Sequence, residues 1–196
     1  MSHTRIFSSR IHLGALTLQE AAIWFALALI VTVAGFAIGG GLFNRADYSQ
    51  EFTNAAEMMT NARSMLKTAG AYDFSSAEAM TGALIQRGGA PSGMKVVGTP
   101  SSGTATLQNV WGGATTVGPV SNSGGQNTSF GLTFNLVPQE ACIQMVQKMS
   151  SASNVASTSV NGTTTTGAVS SDDVGVECQA DNGSIGVNVL VFNSNT

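Results

Sequence analysis

Gly14-Ala15-Leu16-Thr17-Leu18-Gln19-Glu20 decides the reading of this chain, because residues 21–43 behind it carry no charge. A carboxylate therefore stands at the entrance of an apolar run. As a helix that run spans about 34 Å, enough for a bilayer core. An acid there opposes membrane insertion, which points to a specific task for it. Arg5 and Arg10 precede the run and mark the cytoplasmic side. A cleaved secretory signal has an apolar core of roughly 7 to 15 residues followed by small residues. Here the run is longer, and Gly14 and Ala15 come before it. A plain single-pass anchor accounts for the length but gives Glu20 nothing to do.

Working outward, 16–43 is hydrophobic all round, as a segment buried in lipid or in a helix bundle should be. Gly39-Gly40-Gly41 interrupts it. Each Gly costs a helix interior about 1 kcal/mol relative to Ala, so this is a soft point where the helix can stretch. The pattern then changes. Tyr48, Phe52, Ala55, Met59, Ala62, Leu66 and Ala69 recur at alternating steps of four and three, which is one helical stripe. Glu51, Asn54, Glu57, Asn61 and Arg63 are assigned to the opposite side. One helix is expected from about 17 to 69, closed by Gly70, with its second half packed on a sheet.

Downstream, Ser75-Ser76-Ala77-Glu78 reads as a capping box with Ser75 as the cap, followed by a short helix ending near Gly88-Gly89. Short β-prone runs follow at 95–97, 105–110, 115–120 and 130–136, divided by Gly, Pro, Ser and Asn. Pro138 can open a helix in its first turn, with Ala141, Cys142, Met145, Val146 and Met149 at helical spacing. Residues 150–171 read as a loop with one hairpin. Residues 174–178 and 185–192 read as strands, with Ile185, Val187, Val189 and Val191 on one face of the second.

Composition narrows the function. The 196 residues carry a net charge of −3, and only 10% are charged. No basic patch points to nucleic acid. Both histidines, His3 and His12, lie before Gly14, so the rest of the chain has no imidazole for a triad or a general base. The one adjacent acidic pair, Asp172-Asp173, reads as a solvated turn. Cys142 and Cys178 lack histidine co-ligands for a metal. Outside the cytoplasm they form a disulfide, worth about 3 to 4 kcal/mol by the chain-entropy argument. Asn127, Asn161 and Asn182 each match the glycan acceptor pattern, which arises easily by chance in a sequence this rich in Asn, Ser and Thr.

The N-terminal pattern resembles that of type IV prepilins, which have a short basic leader, a cut just before an apolar helix, and Glu at the fifth mature position. Cutting between Ala15 and Leu16 puts Glu20 fifth and Thr17 second; cutting after Gly14 suits the commoner Gly junction but puts Glu20 sixth. The Glu register favours Ala15/Leu16. The body carries a similar resemblance to the type IVb subclass, including the major pilins of plasmid thin pili, the toxin-coregulated pilus and the bundle-forming pilus. Leu84-Ile85-Gln86-Arg87-Gly88-Gly89-Ala90-Pro91 with Met94 looks like their segment after the second helix. Asn109-Val110-Trp111-Gly112-Gly113 looks like their Asn-x-aromatic-Gly-Gly turn. Val137-Pro138-Gln139-Glu140-Ala141-Cys142 looks like their Pro-x-x-x-Cys helix start.

The resemblance implies an α+β pilin fold: a leader at 1–15, a membrane and filament-core helix at 16–43, and at 44–196 an amphipathic helix half with a head built on a mainly antiparallel sheet. It implies a filament subunit rather than an enzyme, with no cofactor. Its partners would be a prepilin peptidase, the inner-membrane assembly machinery, the membrane before assembly and copies of itself. Its destination would be an extracellular pilus of a Gram-negative bacterium. Glu20 would pair with the new amine of Leu16 on a neighbouring copy, since a buried charge needs a partner. Region 150–173 would face other filaments or cells. The alternatives are a minor pilin, a pseudopilin of a secretion system, or a membrane-tethered binding domain that never polymerises.

Overall fold

The computed structural model describes residues 47–121 and 125–195. Helix α1 covers 47–66. Ala55, Met59, Ala62 and Leu66 of the expected stripe are buried, joined by Met58, and Tyr48 and Phe52 pack at its margin. The helix stops three residues earlier than the stripe suggests. Ala69 (φ 50°) and Gly70 (φ 89°) both take left-handed backbone, and Thr68 and Ala71 exchange N–H···O bonds of 2.8 and 3.0 Å across them. Ala69 therefore belongs to a tight turn and is exposed.

Helix α2 spans Ala77–Gln86. Its cap is Ser76, not Ser75: the Ser76 side chain accepts from Ala79 N–H. Glu78 then sits in the first turn, one place short of a capping box, where the helix dipole still favours an acid. The helix ends with Gly88 at φ 75° and Gly89 N–H bonded to Leu84 O at 2.9 Å, a glycine-terminated cap.

Seven strands follow: β1 (Lys95–Val97), β2 (Thr106–Gln108), β3 (Ala114–Val120), β4 (Ser129–Val137), β5 (Val155–Val160), β6 (Thr163–Thr166) and β7 (Asn188–Ser194). They form one sheet in the order β1-β2-β3-β4-β7-β5-β6 with every neighbouring pair antiparallel. The last strand thus lies near the middle, between β4 and β5. β2 pairs with only the start of β3, which leaves part of that edge bare. Helix α2 covers it: the buried Thr81 hydroxyl accepts from Val117 N–H at 2.9 Å. An edge so occupied cannot recruit another strand.

Helices α3 (Gln139–Ser150) and α4 (Ser171–Glu177) complete the head. Pro138 is the cap of α3 rather than its first helical residue, and Asp181 accepts from Gln139 N–H at 2.7 Å. Helix α4 replaces the strand expected at 174–178. Its β-branched valines favour a strand, but Ser170 accepts from Asp173 N–H and donates to the Asp173 carboxylate at 2.6 Å. That reciprocal cap starts a helix instead. The adjacent acids Asp172 and Asp173 occupy its first turn.

The core joins α1, α2 and α3 to one face of the sheet, with Phe130, Leu132 and Phe134 of β4 and Leu190 and Phe192 of β7 fully enclosed. The strand read at 185–192 begins only at Asn188, and the face of Val189 and Val191 is not the one turned to the core. Leu190 and Phe192 point inward, whereas Ile185 is 61% and Val189 36% exposed. Both faces of Val-Leu-Val-Phe are apolar, so alternation alone does not select one.

Candidate functional site

Two polar junctions organise the head. The first links α1 to the turn between β2 and β3. Asn109 Oδ1 accepts from Trp111 N–H (3.1 Å) and Gly113 N–H (2.8 Å), and its Nδ2 donates to Asn135 O at 2.7 Å. Gly113 is required by contact, since a Cβ there would lie 1.8 Å from Asn135 O. Val110 N–H, at the crest of the turn, donates to Glu51 Oε1 at 2.8 Å.

Glu51 is fully buried, as is Asn54 beside it, in contrast to the exposed side assigned to both. Its Oε2 has no hydrogen-bond partner among the described residues. Burial pushes the carboxyl above the ordinary range for glutamate. The hydrogen bond from Val110 and the Asn54 amide beside it pull the other way, and the nearby Asp47 adds to the rise. The signal was present in the sequence: Tyr48, Glu51, Ala55, Met58 and Ala62 share the same steps of three and four.

The second junction surrounds the disulfide. Cys142 on α3 and Cys178 at the end of α4 are joined, with Cα atoms 5.9 Å apart and a sequence separation of 36. Gln139 Nε2 donates to Cys178 O at 3.1 Å, so the first residue of α3 also holds the end of α4. Beside them lies Asn188, fully buried, with all four hydrogen-bonding positions filled. Its Oδ1 accepts from Gln179 N–H (2.7 Å) and Asn161 Nδ2 (2.8 Å); its Nδ2 donates to Val137 O (3.0 Å) and Gln179 O (2.9 Å).

Asn161 completes this network from the β5–β6 hairpin. Asn161 (φ 51°) and Gly162 (φ 93°) form its two-residue turn, the left-handed pair that such hairpins favour. The Asn161 side chain donates to Glu177 O (2.9 Å) and accepts from Val189 N–H (2.9 Å). That amide is committed to the fold. Of the described basic side chains, Lys148 lies over the Tyr48 and Phe52 rings at 5.7 and 5.5 Å, tying α3 to α1.

Gly14, Ala15, Leu16, Thr17, Glu20 and the Gly39–Gly40–Gly41 soft point lie outside the described residues, as does the 1–15 and 16–43 division. Among the described residues no helix is long and apolar enough to cross a membrane, and no cluster of His, Cys, Asp and Glu is arranged to hold a metal.

A family model described as PilS N terminal matches residues 45–195. This chain belongs to that family, and it is a type IVb pilin. The head of this pilin is similar to the crystal structure of type IVb pilin from Salmonella typhi, at 41% identity and a TM-score of 0.66 over 76% of this chain and 99% of that one. It is also similar to the NMR structure of the type IVb pilin PilS from Salmonella typhi, at 40% identity and a TM-score of 0.52 over 76% of this chain and 97% of that one. No curated protein matches the chain. The helices and seven-stranded antiparallel sheet are those of a type IV pilin, and the family is one of structural subunits rather than enzymes.

Proposed function

We propose that this pilin is the major subunit of a type IVb pilus. It is made with a leader at 1–15, cut between Ala15 and Leu16 by a prepilin peptidase, and held in the inner membrane by 16–43. The assembly machinery then moves it into a helical filament outside the cell. The match to nearly the whole length of a Salmonella typhi type IVb pilin, at 41% identity, is the observation that carries this reading. The sequence in front of the head supports it, because an uncharged run follows Glu20 at the expected place.

Assembly is physically reasonable. Apolar helix surface leaves acyl chains and meets the same surface on other copies, so the transfer need not be uphill. Head-to-tail contacts that do not close into a ring grow a filament. Glu20 is satisfied in the bundle by the Leu16 amine of a neighbour, and Thr17 lies beside that pair. The Gly39–Gly40–Gly41 segment lets the helix adjust as subunits pack. The filament then serves adhesion, aggregation or mating, with region 150–173 turned outward.

Mass analysis of filaments sheared from cells tests the reading in one measurement. The expected subunit starts at Leu16, is methylated there and has Cys142 bonded to Cys178. Filaments lacking this chain, or containing all 196 residues uncut, would overturn it.

A further inference from the structure

Two Asn-Gly pairs occur in this chain, Asn161-Gly162 and Asn182-Gly183. The chemistry of this dipeptide is intrinsic: the following N–H can attack the side-chain amide, and glycine has no Cβ to block the approach. The two pairs share several features. Gly162 and Gly183 both take left-handed backbone, at φ 93° and 65°. A Cβ added at either would meet nothing within 4 Å, so both approaches are open. They differ in what holds the asparagine. The Asn161 amide makes bonds to Glu177 O, Asn188 Oδ1 and Val189 N–H. Asn182 is exposed, and no described residue hydrogen-bonds to its side chain; only its backbone is engaged, with Ile185, at 3.0 and 3.2 Å.

We infer that Asn182 is a site of spontaneous covalent modification, converting to aspartate and isoaspartate in the folded protein, and that the hydrogen-bond network protects Asn161 from the same reaction. Gly183 N gives up its proton and bonds to Asn182 Cγ. The Cγ–Nδ2 bond breaks, and the nitrogen leaves as ammonia, taking up that proton. Water then opens the five-membered imide at either carbonyl, giving aspartate or, with the main chain rerouted through the side-chain carbonyl, isoaspartate. The net change is one water added and one ammonia lost, and no oxidant or enzyme is needed.

The location gives the change a consequence. A new carboxylate appears next to Asp181, which accepts from Gln139 N–H at the start of α3. Isoaspartate also lengthens the main chain inside the turn that Asn182 and Ile185 close. The reaction therefore changes both charge and backbone next to the helix that carries Cys142.

The test is to hold the full-length protein, folded in detergent micelles, in mildly alkaline buffer and to follow both sites by peptide mapping with fragmentation that separates isoaspartate from aspartate. Conversion should accumulate at Asn182 and run at least about tenfold slower at Asn161, because freeing that amide breaks three hydrogen bonds, two of them half-buried. Equal rates at the two sites, or an unchanged Asn182, would overturn the inference. In the reduced, denatured chain both sites should react at similar rates. If Asn182 keeps its preference there, local sequence rather than the fold sets it, and the inference fails. In Asn182→Gln the acidic form assigned to this site should disappear.

Discussion

Asn161 Nδ2 donates to Asn188 Oδ1 at 2.8 Å, so a hairpin turn and a buried residue of the central strand are held by one side-chain bond. Through their other bonds the pair also reaches Val137, Glu177, Gln179 and Val189. The end of β4, both sides of the Cys178 segment and the start of β7 are thereby tied together. A network with every position filled specifies one arrangement, whereas a partly filled one is costly.

Asn188 is therefore the most sensitive polar position in the head. Asn188→Ala should cost about 2 to 4 kcal/mol, because it strands the buried Val137 carbonyl and the half-buried N–H and C=O of Gln179. Asn188→Asp should cost at least as much despite its similar shape. It keeps the acceptor but places a second oxygen against Val137 O and Gln179 O, where the amide donated. Chemical denaturation of the two variants measures both costs, and an Asp variant as stable as the parent would show that the amide donor does not matter.

The disulfide adds a separate contribution. Closing a loop of separation 36 removes entropy from the unfolded chain and should stabilise the head by about 4 kcal/mol on that model. Replacing both Cys142 and Cys178 by serine, or reducing the parent, should lower the denaturation midpoint accordingly. The folded variants should keep the same circular dichroism, because Gln139 and Asn188 still hold the end of α4.

The sequence disclosed some of this and concealed the rest for physical reasons. The extent of β1, the burial of most of the α1 stripe and the helix after Pro138 follow from local periodicity and turn residues. Helix α4 was hidden because valine propensity and the Ser170–Asp173 cap point in opposite directions, and the cap prevails. The inward face of β7 was hidden because Val189 and Val191 are as apolar as Leu190 and Phe192. Asn188 gave no signal at all, since a single Asn between valines shows its four partners only after the chain has folded. A hairpin within 150–171 was legible, but not that Asn161 and Gly162 form its turn, and the Asn161 side-chain role depends on β7 and α4 arriving beside it.

Glu51 should give the head a titration of its own. Its folded pKa is raised above the unfolded value, so the folded state holds the proton more tightly. The associated stability is fully present below the ordinary glutamate range and is lost as pH rises through the raised value. In Glu51→Gln that decline should be absent, since the amide still offers an oxygen to Val110 N–H and does not ionise. Unfolding midpoints of parent and variant across this range test the point, and two parallel profiles would count against it. Glu177, also raised by burial and by Asp173, is common to both proteins and drops out of the comparison.

Gly113 and Gly186 should tolerate no side chain. A Cβ at Gly186 would come within 2.4 Å of Leu136 O, Val137 C and Pro138 N, and at Gly113 within 1.8 Å of Asn135 O. These neighbours are backbone and cannot rotate away. Gly113→Ala and Gly186→Ala should each cost about 1 to 3 kcal/mol or more, read as lower thermal midpoints or loss of soluble protein. Gly125→Ala serves as a contrast, with no described residue within 4 Å of its Cβ and the strain of φ 74° to bear.

Glu20 carries the sharpest functional prediction. On the proposed reading its carboxylate has two environments, the membrane boundary before assembly and an apolar helix bundle afterwards. Only the second demands a partner, because a charge buried there is expensive unless paired. The peptidase creates that partner when it frees the Leu16 amine. Glu20→Ala should therefore leave the cut between Ala15 and Leu16 largely intact while removing or sharply reducing filaments. Immunoblots of whole cells would report the shortened chain, and shearing would report the filament yield. A variant that is cut and also piliated at the parental level would break the link between the acid and assembly. Glu20→Gln refines the argument: it keeps the size and one hydrogen-bond acceptor but not the charge, so filaments restored by it would make hydrogen bonding, rather than ion pairing, the force that sets the register.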